Sequence, residues 1–238
     1  MEVEVKLRLP NSQTHKTLIS LLSPFHITTH NQHNNFFDGL AGELSSRRAV
    51  LRIRFYNDQV TKCVISLKAK AVLENGVSRV EEDEEQIDPA IGEECLANPN
   101  RLVSLMESSR IMKRVKDEFF GGKNENKNDN DGGLGFVCLG GFKNLRNVYE
   151  WKGLVIELDE TSYEFGTLYE IECESSEPEK AKGLIEEFLK ENEVSYSYSV
   201  ASKFAIFRAG KLPYPWLVLA NEGHGLQLAI RQGPFILA

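Results

Sequence analysis

The sequence predicts a mainly β protein of the α+β class, a closed antiparallel sheet whose charged faces turn inward and whose apolar faces carry helices. Three observations lead there. Strand-like segments alternate apolar and charged residues over most of the chain, so each has one apolar and one charged face. Short turns join most of them, which favours antiparallel neighbours over strand–helix–strand units. Several amphipathic helices need apolar surface to pack on, and the apolar face of the sheet supplies it. Closing the sheet with the charges inside satisfies all three.

Residues 2–9 set the pattern: Val3, Val5, Leu7 and Leu9 share one face, and Glu2, Glu4, Lys6 and Arg8 the other. Alone, such a strand reads as half-buried with a wet face; its recurrence argues for a lumen. Pro10 and Asn11 end the strand and offer a helix cap. His15, Leu18, Ile19 and Leu22 then recur at helical spacing, and Ser23-Pro24 closes that helix. Residues 25–38 read as a long strand ending in Phe36-Phe37-Asp38, followed by a turn at Gly39 to Gly42. Over 47–56, Arg48, Arg52, Arg54 and Tyr56 oppose Leu51, Ile53 and Phe55. Asn57-Asp58 makes the turn, and over 61–70 Ser66, Lys68 and Lys70 oppose Cys63, Ile65, Leu67 and Ala69. After Asn75-Gly76, a strong turn signal, residues 77–88 resume as a strand with Arg79 and an acidic run, Glu81 to Glu85, that reads as a solvated strand end.

Residues 89–108 read as helical or irregular, and 110–120 as a strand with Arg114 and Lys116 in phase. Residues 121–133, rich in Asn, Lys, Asp and Gly, read as a disordered hairpin insertion. Strands follow at 134–140, 143–151 (with Arg146) and 153–161, where Glu157 and Asp159 share a face. In a last strand, Glu170, Glu172 and Glu174 oppose Tyr169, Ile171 and Cys173. Pro178 starts a helix with Ala181, Leu184, Ile185, Phe188 and Leu189 on one stripe. A shorter helix near 200–209 aligns Val200, Phe204 and Phe207 beside Lys203. One domain is expected over 1–213, with 214–238 a tail of no clear period.

A chain of 238 residues with net charge −7 suits one globular domain. The acidic balance argues against a nucleic-acid duplex or a membrane surface as partner, while saying nothing of a local cationic cavity. Cys63, Cys95, Cys138 and Cys173 form no CxxC pair and are expected as reduced, core-facing thiols. No apolar run reaches membrane-spanning length, and the chain opens directly into a charged strand without room for a targeting segment. A cytoplasmic or nucleocytoplasmic monomer is expected.

The inward charges carry the chemistry. Lys6, Arg8, Arg52, Arg54, Lys68, Lys70, Arg114, Lys116 and Arg146 would crowd one lumen. Like charges 4 Å apart repel by roughly 4 kcal/mol at an effective dielectric near 20, so the cluster needs water, interior acids or a polyanion. Phosphates match best: Arg pairs bidentately with their oxygens and Lys adds a point charge. Glu2, Glu4, Asp159, Glu170 and Glu172 form an all-oxygen donor set, which favours Mg²⁺ or Mn²⁺ over zinc. His15, His26, His30, His33 and His224 are scattered over helix, turn and surface positions, and no P-loop, G-x-S-x-G or HExxH occurs. Cations for phosphates beside carboxylates for a metal suit metal-assisted phosphoryl transfer.

Glu2-x-Glu4-x-Lys6 resembles the ExExK signature of the CYTH superfamily, the triphosphate tunnel metalloenzymes. Leu51-Arg52-Ile53-Arg54, Ser66-Leu67-Lys68, Glu157-Leu158-Asp159 and Tyr169-Glu170-Ile171-Glu172 follow in that family's order, in a chain most similar to its small plant members. The resemblance implies an eight-stranded tunnel that hydrolyses inorganic triphosphate to diphosphate and phosphate with Mg²⁺ or Mn²⁺. It gives Lys6, Arg52, Arg54, Lys68, Arg146 and Lys203 the triphosphate, with Arg8, Lys70, Arg114 and Lys116 as additions. It gives Glu170 and Glu172 one ion, with Asp159 nearby, and gives Glu2 and Glu4 a second ion and the attacking water. Lys203 would sit on a helix that plugs or flanks one mouth. Gly39 departs from the family's Asp-Thr-Pro after the aromatic pair, and the tail has no familiar counterpart.

Two other functions remain open at this point. One is hydrolysis or cyclisation of an organic triphosphate (thiamine triphosphate, ATP or an RNA 5′-triphosphate), which would want an aromatic platform at the mouth. Tyr149 and Trp151 have the apolar parity and read as outer packing instead. The other is polyphosphate binding without turnover, which predicts loss of the carboxylates, and all five are present.

Overall fold

The computed structural model describes residues 1–57, 62–121 and 134–213; the expected insertion at 121–133 beyond Gly121, Asp58 of the expected Asn57-Asp58 turn, and the tail at 214–238 lie outside them. Within the described residues the strands are β1 (Glu2–Leu9), β2 (His26–Gly39), β3 (Ala49–Tyr56), β4 (Lys62–Glu74), β5 (Val77–Ile87), β6 (Phe136–Trp151), β7 (Leu154–Tyr163), β8 (Gly166–Glu174) and the two-residue β9 (Ser197–Tyr198). Pairing runs β5-β4-β3-β2-β6-β7-β8-β1, and β1 pairs back onto β5 at Glu2–Val5, so the sheet closes. All these pairs are antiparallel. The eight-stranded barrel expected from the sequence is therefore present, and closure leaves none of the eight with a bare edge over its paired length. β9 takes up the edge of β1 at Leu7 and Arg8, where β5 has left it.

The helices are α1 (Ser12–Leu22), α2 (Pro89–Ala97), α3 (Arg101–Ser104), α4 (Arg110–Val115), α5 (Pro178–Glu191) and α6 (Lys203–Ala209). They cover the apolar outer face in two groups. Val5, Leu7, Leu158 and Ile171 pack under Leu18 and Leu22 of α1 and Ile185 and Leu189 of α5, with Tyr149 and Trp151 in the same outer cluster as expected. Leu51, Ile53, Ile65 and Leu67 pack under Cys95 of α2, Leu102 of α3 and Ile111, Met112 and Val115 of α4. Each such side chain, fully buried, contributes about 1.5–3 kcal/mol.

A third cluster lies at one end of the barrel. Phe36, Phe142 and Tyr163 have the lumen parity of their strands and pack against Phe204, Ile206 and Phe207 of α6. Ser202 caps that helix by accepting from the Ala205 amide, and Gly210, at φ +65, ends it. The lumen is thus charged along its length and aromatic where α6 closes it.

Several local expectations change. Residues 110–120 are helical. Their cations alternate, but Ile111, Met112, Val115 and Phe119 follow a helical stripe buried against the sheet, and Ser109 caps the start. The strands expected at 134–140 and 143–151 are one strand, β6. Gly140 (φ +86) takes up the register shift opposite Phe36 and Phe37. A side chain at Gly141 would strike the Asn34 carbonyl, so the Gly-Gly pair bends the strand without ending it. Cys63, Cys95 and Cys173 are buried free thiols, whereas Cys138 is exposed on β6. His15, in phase with Leu18 and Leu22 on α1 as expected, is buried against the Tyr169 ring.

Candidate functional site

Alternation along the strands and the observed registers assemble the lumen wall. Lys6 stands opposite Glu172 and Arg8 opposite Glu170 across β1 and β8; Asp159 stands opposite Glu170 across β7 and β8, and Arg146 opposite Asp159 across β6 and β7. Opposite charges on neighbouring strands of one face attract, and here they interlock. Lys6 Nζ lies 2.5 Å from Glu172 and 2.8 Å from Glu4. Arg8 lies 2.9 Å from Glu170. Arg146 donates to both Asp159 oxygens, at 2.8 and 2.6 Å, and also meets Glu172 and Glu157. From α6, Lys203 reaches down to Asp159 (2.8 Å), Glu170 (3.2 Å) and Glu172.

A second group faces it from β3, β4 and β5. Arg52 bridges Glu82 (3.1 Å) and Glu84 (3.0 Å) and donates to Ser66 Oγ. Lys68 bridges Glu2 (3.0 Å) and Glu82 (2.6 Å). Beside it Arg54 is held differently: Nε donates to Asn34 Oδ1 at 2.8 Å and Nη1 to the Tyr56 hydroxyl at 3.2 Å. Among the described residues Arg54 has no carboxylate partner.

These contacts fix the charge states. Burial lowers the pKa of Arg146, Lys203 and Lys6, but their carboxylate neighbours overcome it and hold all three above the ordinary range. Burial likewise opposes ionisation of Asp159, Glu170 and Glu172. Arg146 and Lys203 hold Asp159 low; Lys203 and Arg8 hold Glu170 low; Lys203, Lys6 and Arg146 hold Glu172 low. Burial and the charge of Arg54 bring Arg52 down to about 10. Burial raises Glu157, against Arg146. Glu2 and Glu82 meet carboxyl to carboxyl, a contact that favours the protonated form of Glu2 and the ionised form of Glu82. Burial, that contact and the charge of Glu4 push Glu2 up to about 8. Burial opposes the ionisation of Glu82, but the contact with Glu2 together with Lys68 and Arg52 keeps it well below the usual carboxylate range.

A cavity of about 970 Å³ occupies the barrel. Of the residues expected in the lumen, Glu2, Glu4, Lys6, Arg52, Arg54, Lys68, Arg146, Glu172 and Lys203 border it. Arg8, Asp159 and Glu170 do not border it: they are buried on the same face, Asp159 against Arg146 and Lys203, and Glu170 against Lys203 and Arg8. Three expectations fail. Lys70 sits at φ +53 in the register shift between Ala69 and Val72, which turns its side chain outward to Glu81. Arg114, on α4, pairs with Glu118 and Glu81 on the outer surface. Lys116 follows α4 and pairs with Glu107 outside the barrel. The acidic run 81–85 is also more than a wet strand end. Glu82 and Glu84 face Arg52 inside, while Asp83 pairs with Arg110, and Glu85 with Ser109, outside. Counting from the Asn75-Gly76 turn would set Lys68 opposite Asp83, and the register shift between Ala69 and Val72 makes Glu82 its partner instead, so the sequence offered no signal for it. Glu157, already in phase with Asp159, also borders the cavity, as does Asn34.

A closed antiparallel barrel with interlocked inward cations and carboxylates defines a charged tunnel. The chain belongs to the CYTH domain family, whose model matches residues 1–205. It is similar to an adenylyl cyclase candidate from Hippeastrum, described as revealing a dominant triphosphatase activity, at 57% identity over 90% of this chain and 98% of that one, with a TM-score of 0.82. An adenylate cyclase candidate from Bacillus halodurans shares the fold at 21% identity and a TM-score of 0.63, covering 87% of this chain and 97% of that one. The PH1819 protein of Pyrococcus horikoshii shares it at 18% identity and a TM-score of 0.54, covering 87% and 99%. Among curated proteins none matches the chain.

The sign of the Glu2 shift gives a test. A carboxyl raised from 4.5 to about 8 by folding favours the folded state fully below pH 4.5, and that contribution is lost as pH rises through 8. Glu2→Gln stays neutral at every pH. In metal-free buffer its melting temperature is therefore expected to gain on wild type as pH is raised from about 5 to about 9. A difference constant across that range contradicts the raised Glu2 pKa.

Proposed function

We propose that the tunnel hydrolyses inorganic triphosphate to diphosphate and phosphate with a divalent metal. The observation that carries this reading is the pairing of lumen cations with lumen carboxylates around one cavity. The activity described for the Hippeastrum protein and the metal dependence general to the family support it.

Lys6, Arg52, Arg54, Lys68, Arg146 and Lys203 grip the phosphates. Except for Arg54 they are already salt-bridged, so a bound triphosphate takes the place of carboxylates on cations the fold has positioned beforehand. Arg8 holds Glu170 on the same face. The barrel keeps bulk water from the phosphates and so strengthens each contact. A tunnel lined by charge suffices for a substrate without an organic group.

Among the described residues no three metal-binding side chains form a ready cage, yet the donor set fits a hard cation. Glu2 and Glu4 are oxygen donors that border the cavity, and burial together with the neighbouring Glu82 and Glu4 charges raises Glu2, an excess of negative charge that a divalent cation can offset. Glu2 and Glu4 would hold one Mg²⁺ or Mn²⁺ ion, and Glu172, with Glu170 and Asp159 nearby, a second. Such an ion, when bound, neutralises phosphate charge and lowers the pKa of water. Glu2 and Glu4 also orient the attacking water toward the terminal phosphorus, and Arg54 and Arg146 meet the charge that develops on the phosphate oxygens.

The free thiols suit a cytoplasmic setting, and no helix among the described residues is long and apolar enough to cross a membrane. A monomer suffices, since the proposed ligands all lie on one chain.

Phosphorus NMR of reactions with triphosphate, ATP and thiamine triphosphate separates orthophosphate release from cyclisation. Fastest release from inorganic triphosphate, abolished by EDTA and restored by Mg²⁺ or Mn²⁺, is expected. Full activity in excess EDTA contradicts the metal assignment, and preferred turnover of ATP contradicts the substrate.

Two substitutions separate grip from chemistry. Glu4→Gln should lower kcat by about a hundredfold with little change in affinity. Arg54→Ala should weaken triphosphate binding by about tenfold or more. Normal turnover by Glu4→Gln, or wild-type binding by Arg54→Ala, overturns the corresponding role.

A further inference from the structure

Asn34 lies on β2 with Arg54 opposite it on β3 and Phe142 opposite it on β6, so its side chain shares the lumen face. It is 2% exposed and borders the cavity. Its amide orientation follows from chemistry. Arg54 Nε carries a hydrogen and can only donate, so the atom 2.8 Å away must be the amide oxygen. The amide nitrogen must then point elsewhere. Asn34 Nδ2 is buried and has no hydrogen-bond partner among the described residues.

A buried unpaired N–H group is costly, and proteins seldom leave one without a reason. The neighbouring polar residues show how the wall otherwise avoids that cost: Asn144 donates to Gln32 and accepts from Thr161. Asn34 forgoes such a partner, and it does so beside Arg54, which among the described residues has no carboxylate to neutralise it. An unbalanced guanidinium that borders the cavity, beside an orphan amide donor buried just within the wall, makes a place for an anionic oxygen once the side chains covering Nδ2 move aside.

We infer that Asn34 is a substrate-binding residue: its Nδ2 donates to a phosphate oxygen of the bound triphosphate, while its Oδ1 holds Arg54 in position for the same phosphate. This rests on the triphosphatase reading and adds to it a neutral donor that the charge pattern of the sequence does not reveal. Asn34 moves no proton; it would favour the bound anion over water and set its orientation against Arg54.

The test is calorimetric titration of inorganic triphosphate into the full chain in EDTA, so that turnover does not interfere. Four proteins form a double-mutant cycle: wild type, Asn34→Ala, Arg54→Ala and the double variant. Asn34→Ala is expected to weaken binding by about tenfold or more, and to go on weakening it in the Arg54→Ala background. If Asn34 acted only by orienting Arg54, its removal would cost nothing there, and that result overturns the inference. Asn34→Asp keeps size and the acceptor for Arg54 but cannot donate in its ionised form. It too is expected to bind triphosphate more weakly, and it guards against misfolding of the alanine variant. Wild-type affinity in Asn34→Asp at an unchanged melting temperature overturns the inference while leaving the functional reading in place. Failure of the wild-type chain to bind triphosphate overturns both.

Discussion

Charge compensation inside a closed sheet is the constraint on which the rest of the structure depends. Lys6, Arg52, Lys68, Arg146 and Lys203 cannot share one lumen unless their repulsion is cancelled. The fold cancels it with acids on neighbouring strands, through registers that set Lys6 beside Glu172 and Arg146 beside Asp159. Each ion loses several kcal/mol of hydration on burial, so these pairs are poor evidence for stability by themselves. They fix position. A lysine held by two carboxylates is already where a phosphate oxygen would meet it, and a carboxylate held by Arg146 stays ionised although fully buried.

The outer structure follows from the same constraint. With charge inside, the apolar faces must look outward, and α1 and α5 on one side and α2 to α4 on the other cover them. Among the described residues, an aromatic cluster turns inward at the end closed by α6. There Phe36 and Phe142 receive Phe204 and Phe207, and the same helix delivers Lys203 to Asp159, Glu170 and Glu172. Aromatic packing thus sets the depth to which that ammonium reaches. Arg54 and Asn34 stand apart as the part of the wall where compensation is incomplete, which is where a ligand has most to contribute.

Much of this was legible in the sequence because strand parity is a strict period. Val3, Val5 and Leu7 against Glu4, Lys6 and Arg8 could be read without a structure, as could Arg52 and Arg54 against Leu51 and Ile53. Parity failed where the backbone departs from the strand. Lys70 continues the phase of Ser66 and Lys68, yet a shift at Ala69 turns it outward. Arg114 and Lys116 alternate like strand residues, but the buried Ile111, Met112, Val115 and Phe119 follow a helix. Glu82 and Glu84 do not stand out in the sequence because the run 81–85 is uniformly acidic, and only the strand on either side says which carboxylates face in. Asn34 carries no charge, so the pattern that exposed the other lumen residues could not expose it.

The most direct test of this account is a crystal structure of the metal-free protein with inorganic triphosphate. The account predicts the triphosphate inside the barrel, with its oxygens within hydrogen-bonding distance of Arg52, Arg54, Lys68 and Arg146, and those cations turned from carboxylate to phosphate. Triphosphate bound only on the outer surface, with the lumen ion pairs unchanged, would contradict it.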